Sequence, residues 1–316
     1  MGFFLKKKKI SAGLMLDSGV FRYLSLECAD DVYTVVDSVT EKIPEGYMHS
    51  DDPFEDNGAY LDLIFSYISS SISSFHTAVN FALPITESLL RIVAMPGMTL
   101  PEAKQAFRYD FENYFPFAER DGVYDIAEID YPLTEDTTEQ RFLAAAARRT
   151  LLDNIAKGAA AHNIRLLSLE PAQIALERAA SPAVPIEDAC VFVYAGQLRS
   201  VLILSWHGNG IFYRNISFGF PAETMAKGAD SDEYRDNAFS FVRDIRSSLQ
   251  FALSQNRGFS TKSLYLFGPG ATPYLRDLMK DSITMGTVMQ VDPMKIHGID
   301  FRNSGEWDIA LGLAMR

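Results

Sequence analysis

The chain has 316 residues, 47% of them hydrophobic and 22% charged, with a formal net charge of −12. That length carries two lobes and a well-buried core, because about three-quarters of the unfolded surface leaves water at this size. The acidic balance speaks against nucleic acid, whose phosphates need clustered Lys and Arg. The two cysteines, Cys28 and Cys190, give no disulfide framework and fit a reducing cytoplasm.

The opening MGFFLKKKK sets its apolar part before its basic part, the reverse of a signal peptide. Phe3, Phe4 and Lys6–Lys9 offer contact with an anionic membrane surface, at about 1 kcal/mol per basic residue near it. The plainer reading is a solvated end. No apolar run in the chain reaches the ~20 residues of a spanning helix.

Ile10–Asp17, Gly19–Ala29 and Asp31–Thr40 then read as a β-meander, with Asp17-Ser18-Gly19 and Ala29-Asp30-Asp31 as turns. Glu41–Gly58 is polar, holds two prolines, and reads as a loop. Ala59–Phe75 has apolar residues at helical spacing, including Leu61, Ile64, Phe65, Ile68 and Ile72. Ala78–Leu83 and Leu89–Met95 are strand-like. Leu100–Tyr114 is a helix, with Thr99 as N-cap, Pro101 in its first turn and Phe115-Pro116-Phe117 as its stop. Its apolar stripe is Ala103, Ala106, Phe107, Phe111 and Tyr114.

Val123–Tyr131 and Arg141–Ala147 read as strands joined by the acidic loop Leu133–Glu139. Leu151–His162 is a helix, Ile164–Leu169 a strand and Ala172–Ala179 a short helix. Ser181-Pro182-Ala183-Val184-Pro185 is the best linker in the chain and marks the lobe boundary. Ala189–Tyr194, Ser200–Trp206 and Ile211–Ser217 form a second meander, with His207-Gly208-Asn209-Gly210 as the glycine-bearing turn. Ala222–Asp236 is polar and reads as beginning in a loop. Asn237–Gln255 is a helix with Phe241, Ile245, Leu249 and Leu253 on one face. Ser263–Phe267 is a strand, followed by Gly268-Pro269-Gly270 and a helix from Thr272 to Lys280. Thr287–Val291 is a short strand and Trp307–Arg316 a closing helix. Strands alternate with helices in two halves, each opened by a meander, which is α/β.

Other chemistry finds little support. The five histidines share no ligand spacing. Gly268-Pro269-Gly270 fails as a dinucleotide fingerprint because position 273 is Pro273. There is no P-loop and no G-x-S-x-G. Glu128 and Asp130 fit a solvated strand face better than an acid–base pair.

Taken in order, several pieces resemble the PilM family, the cytoplasmic actin-like component of type IV pilus assembly, related in fold to FtsA. They are Leu83-Pro84, Arg91, Pro96, Met98, Glu102, AFRYDFENYFPF (Ala106–Phe117), FLAAAA (Phe142–Ala147) and LLSLEPAQIALER (Leu166–Arg178). Gly208, Phe212-Tyr213-Arg214, Gly219, RDIRSSLQF (Arg243–Phe251), LFGPGA (Leu266–Ala271), Asp292-Pro293 and LGLAMR (Leu311–Arg316) complete the set. The resemblance implies an actin/hexokinase-type two-lobed fold with an inserted FtsA-like 1C-type subdomain. Residues 1–77 would form the first-lobe core, 78–163 the insertion and 164–186 the return to the first lobe. Residues 187–305 would form the second lobe and 306–316 the closing helix.

The family's nucleotide positions are where this chain departs. Aligning Arg22 with the family's lysine puts Met15 where the first loop's aspartate belongs, and a thioether is a poor ligand for Mg²⁺. Asp17, two residues on, would sit ~6–7 Å away along the strand. The second loop's aspartate is Tyr194, uncharged at neutral pH. Gly219 keeps one glycine of a pair whose second member is Phe220. Pro269, between Gly268 and Gly270, removes one N–H donor. Asp244 replaces a glutamate that reaches the ribose.

ATP binding is therefore expected to be weak or absent, hydrolysis absent, and no cofactor or metal is expected. Should Mg-ATP bind, the expected contacts are Asp17, Ser18, Gly19, Gly196, Gly219, Asp244, Gly268 and Gly270.

The resemblance further implies a groove beside the inserted module for the N-terminal cytoplasmic peptide of a PilN-like single-pass membrane protein. Arg91, Phe107, Phe111 and Phe115 are its candidate lining, against the plainer reading that these rings are core. A pilus motor ATPase is a further candidate partner. The implied protein is a cytoplasmic, non-enzymatic adaptor at the inner face of the cytoplasmic membrane. Its rivals are a working ATP-dependent switch and an FtsA-like filament former.

Overall fold

The computed structural model describes residues 9–17, 19–50, 52–132, 139–256 and 258–316. The N-terminal basic stretch, Ser18 and most of the acidic loop expected at Leu133–Glu139 lie outside the described residues. β1 (Lys9–Asp17), β2 (Val20–Ala29) and β3 (Val32–Lys42) form the first meander. Its turns use Gly19 (φ 69°) and the pair Asp30 and Asp31 (φ 55° and 61°), residue types that tolerate left-handed backbone. α1 (Glu55–Gly58) is a single turn, and α2 (Leu61–Ser71) carries the apolar face read from the sequence. β4 (Val79–Leu83) returns parallel to β1.

The insertion follows as β5 (Leu89–Pro96), α3 (Leu100–Tyr114), β6 (Gly122–Glu128) and β7 (Glu139–Arg148). The start of α3 is sealed by Glu102, whose carboxylate accepts from the Thr99 backbone N–H (2.8 Å) and hydroxyl (2.7 Å). α4 (Arg149–Ala161), β8 (Leu166–Pro171) and α5 (Ala172–Ala180) lead to the second lobe.

The second lobe holds β9 (Cys190–Tyr194), β10 (Ser200–Trp206), β11 (Asn209–Ile216), α6 (Ala222–Ala226) and α7 (Asp232–Gln255). β12 (Ser263–Phe267), α8 (Pro273–Ser282), β13 (Thr287–Gln290), α9 (Pro293–Ile296) and α10 (Asp308–Ala314) complete it.

The two large sheets repeat one topology. The first runs β3-β2-β1-β4-β8 and the second β11-β10-β9-β12-β13. Each is an antiparallel meander extended by two parallel strands. α5 and α10 pack between the sheets in one core with Met15, Leu24, Phe192, Tyr194 and Ile203. α2 and α4 cover the outer face of the first sheet, and α7 and α8 that of the second. The inserted three-stranded sheet, β5-β7-β6, has its core against α3.

Three expectations are corrected. The insertion is narrower than 78–163, because β4 pairs inside the first sheet and α4 packs in the first-lobe core through Leu151 and Ile155. The second meander turns on His207 (φ 46°) and Gly208 (φ 79°), while Asn209 and Gly210 already belong to β11. The polar stretch Ala222–Asp236 holds α6 and the first turn of α7. Ser231 caps that turn by accepting from the Tyr234 N–H (3.2 Å), and Tyr234 is buried. One buried ring in a polar run gives no helical periodicity to read.

Candidate functional site

The resemblance puts the family's nucleotide positions at Met15 to Gly19, Tyr194, Gly219, Asp244 and Gly268 to Gly270. Asp17, at the end of β1, borders a cleft of about 260 Å³ with Asp52, Pro84, Thr86 and Arg199. Met15, the residue in the expected metal position, is buried in the inter-lobe core. Arg22 on β2 is buried too, and its guanidinium is taken by Glu306 at 2.5 Å.

Tyr194 closes β9 with its ring among the glycine turns. A Cβ built on Gly196 would stand 2.6 Å from the ring, and one on Gly268 2.8 Å. Gly268 (φ 100°) bends the chain so that the Gly270 N–H reaches the Ala195 carbonyl at 2.8 Å. A Cβ on Gly270 would lie 2.4 Å from Phe220, which is itself buried between Tyr234 and Phe241 at ring distances of 5.2 Å. Gly219 backs onto the Gln197 carbonyl. Burial, with Asp308 and Asp17 nearby, holds the Tyr194 phenol well above its usual value, against the pull of Arg22. It is a neutral ring.

The predicted contacts are thus divided. Asp17 borders the 260 Å³ cleft, whereas Gly268 borders a separate cavity of about 620 Å³ with Pro269, Gln197, Lys295 and Glu306. Gly196, Gly219 and Gly270 are pressed against neighbouring side chains or backbone. Gly19 forms the β1–β2 turn beside Met48. Asp244 lies on α7 beside Arg243 (3.7 Å) and borders neither space. Ser18 is outside the described residues.

Two acidic residues that sequence reading passed over sit here. Glu306 pairs with Arg22 across 284 positions. Asp308 is fully buried and neither of its carboxyl oxygens meets a partner among the described residues. Burial, then Asp292, pushes its carboxyl well above the usual range, so it is held as the neutral acid. Two acids flanking a tryptophan ahead of an apolar helix carry no motif. Among the described residues no group of three or more metal-ligating side chains comes together.

The partner-groove expectation divides as well. Phe107, Phe111 and Phe115 are 0%, 0% and 3% exposed, so they are the core between α3 and its sheet and not a groove lining. They fall where an aromatic stripe at helical spacing normally falls, on the buried side. Arg91 is exposed on β5, and its guanidinium donates to the Leu90 carbonyl at 2.8 Å.

Two open spaces instead flank the inserted sheet. One, of about 450 Å³, runs between β6 and β7 on one side and β8 and α5 on the other. Val123, Ile126, Leu143, Ala145, Leu169 and Ile174 give it an apolar lining. Glu170 lies beneath, bridged to Arg178 (2.8 Å) and Arg316 (2.9 Å). The other, of about 720 Å³, lies between β5 and β11 and is bordered by Arg91, Arg141 and Arg214.

Paired five-stranded sheets of one topology, with α5 and α10 between them and a small inserted sheet, define an actin-like α/β fold. Solved structures agree. The chain is similar over 97% of its length, and 98% of that chain, to a structure described as the PilM-PilN type IV pilus biogenesis complex, with TM-score 0.77 and 19% identity. It is also similar to a Bacteroides thetaiotaomicron protein with actin-like ATPase fold and unknown function, with TM-score 0.54 and 10% identity over 100% of this chain and 99% of that one. No family model and no curated protein sequence matches the chain.

Proposed function

We propose that this chain is an actin-like adaptor of a type IV pilus or related secretion platform, holding the N-terminal peptide of a PilN-like membrane protein at the inner face of the membrane. The observation that carries the reading is the apolar groove between β6 and β8. β6 ends the inserted sheet and β8 ends the first-lobe sheet, so two strand edges border a space lined by alanines and aliphatic side chains. That combination suits a peptide bound by backbone pairing and small apolar pockets. It lies beside the insertion, where the family resemblance expects the partner. The overall similarity to the pilus-complex chain supports the same assignment.

The nucleotide site is, in this reading, degenerate. Tyr194 and Phe220 fill the space that glycine loops otherwise leave for phosphates, and Met15 and Glu306 replace or occupy the groups a metal-nucleotide would use. Mg-ATP does not fit the residues present, and peptide docking rather than ATP turnover carries the signal. No helix among the described residues is long and apolar enough to cross a membrane, in keeping with attachment through a partner.

The test is titration calorimetry with a synthetic peptide of the cognate PilN-like N-terminus and, separately, with Mg-ATP. Peptide binding is expected, and Ala145→Glu, which puts a charge on the groove floor, should weaken it by about tenfold or more. No heat is expected from nucleotide up to millimolar concentration. Unaltered peptide affinity in the variant would remove the groove assignment, and micromolar Mg-ATP binding would restore a nucleotide switch.

A further inference from the structure

We infer that the cleft between β5 and β11 is a second docking site, which takes an extended acidic segment of a partner protein laid as a strand along β5. It shares no lining residue with the β6–β8 groove and stands whether or not that groove binds a peptide.

The backbone supplies the first argument. β5 is the outer strand of the inserted sheet and β11 the outer strand of the second-lobe sheet. Each therefore presents a row of backbone N–H and C=O groups with no ladder partner on that side. The two edges are held apart at a fixed opening. At one end the Gln173 amide donates to the Ile85 and Ser88 carbonyls (3.2 and 3.3 Å), and the Asn215 amide donates to the Ile85 carbonyl (2.7 Å). At the other end the Tyr131 hydroxyl donates to Asn256 at 2.5 Å. Between these ties the cleft has a volume of about 720 Å³, and an open strand edge can take an added strand from a partner.

Charge supplies the second. The chain carries 41 acidic and 29 basic residues, yet among the described residues three arginines and no Asp or Glu border this cleft. Arg91 and Arg214 meet no carboxylate among the described residues, and Arg141 pairs with the half-exposed Glu139 at 2.8 Å. Two of the guanidinium groups lie over rings. Arg214 lies 5.6 Å from the Phe251 centroid and Arg141 5.5 Å from that of Tyr131. A guanidinium takes a carboxylate in paired hydrogen bonds. Phe251, 48% exposed, offers an apolar contact for the uncharged side chains of the same segment. An acidic strand fits the edges and the charges together, which a free anion does not.

Fluorescence anisotropy of the full chain tests this with labelled peptides of about ten residues, alternating Glu with Val or Lys with Val. The acidic peptide should bind saturably, the basic one should not, and affinity should fall several-fold between about 50 and 300 mM salt. Arg91→Glu combined with Arg214→Glu should weaken binding by about tenfold or more, with an unchanged melting temperature because both side chains are exposed. Arg91→Ala with Arg214→Ala should give a smaller loss in the same direction. Absence of acidic-peptide binding at about 1 mM, the weak end of specific recognition, would overturn the inference. So would equal binding of the basic peptide, full binding by the double variants, or preference for a labelled oligothymidine.

Discussion

The inserted sheet has two edges of opposite chemistry, although one central strand serves both. Toward β6 the space is lined by Val123, Ile126 and Ala145, and toward β5 by Arg91 and Arg141. β7 makes the change along its own length. It opens with Glu139, Gln140 and Arg141 and runs through four alanines, Ala144 to Ala147, before its last residue, Arg148. Alanines keep one face shallow, so a peptide can lie close to the sheet. Arginines need width and water, so the other side stays open. A small module can therefore present two distinct surfaces without a second domain, provided that its core is carried by one helix.

That core gives the strongest way to break the comparison. Phe111 is fully buried and touches Phe107, Phe115, Phe117 and Tyr124. Phe111→Ala should cost about 3–5 kcal/mol in denaturant unfolding. It should weaken peptides on both edges together, whereas each surface variant affects one edge.

A smaller effect comes from Glu177, which ties α5 to the second lobe. The Tyr213 hydroxyl donates to it, as does the Ser205 hydroxyl at 3.3 Å. Burial raises its carboxyl from 4.5 to about 7, against the two hydrogen bonds and Arg178. A raised folded value means that this stabilisation is complete below pH 4.5 and is lost as pH rises through 7. Over that window stability should fall by about 3 kcal/mol, at about 1.4 kcal/mol per pH unit. Glu177→Gln should remove that share of the slope in thermal melts, leaving the part with the same sign that belongs to Asp308. Because Tyr213 borders the arginine cleft and not the apolar groove, affinity changes over the same window should appear only on the β5 side.

The smallest effect sharpens the comparison most. Gln173 is buried and closes the β5–β11 cleft through its bonds to Ile85, Ser88 and Asn215. Gln173→Ala should cost about 1–2 kcal/mol and alter acidic-peptide affinity. Binding in the β6–β8 groove should stay as it was, read by calorimetry on the same variant.

Much of this architecture was legible. Both meanders, the span of α3 and its Thr99 cap follow from local patterns, since a two-residue or 3.6-residue apolar period records which side of an element is buried. That Met15, Tyr194 and Phe220 stand where the resemblance expects other groups was also readable. What the rings do was not: that Tyr194 rests on Gly196 and Gly268, and Phe220 on Gly270, depends on turns brought together from separate strands. The groove lining was misjudged at Phe107, Phe111 and Phe115 because an apolar stripe reports burial but not whether a partner or the protein's own sheet does the burying.

By itself, then, the sequence determined the order of most elements and the doubled α/β plan, because each rests on neighbours in the chain. Only the tertiary structure decided that Arg22 is held by Glu306, that Gln173 and Asn215 brace the β5–β11 opening, and that two edges of one sheet differ in charge. Those outcomes join residues tens to hundreds of positions apart. They arise from packing two lobes around α5 and α10, which no local period encodes.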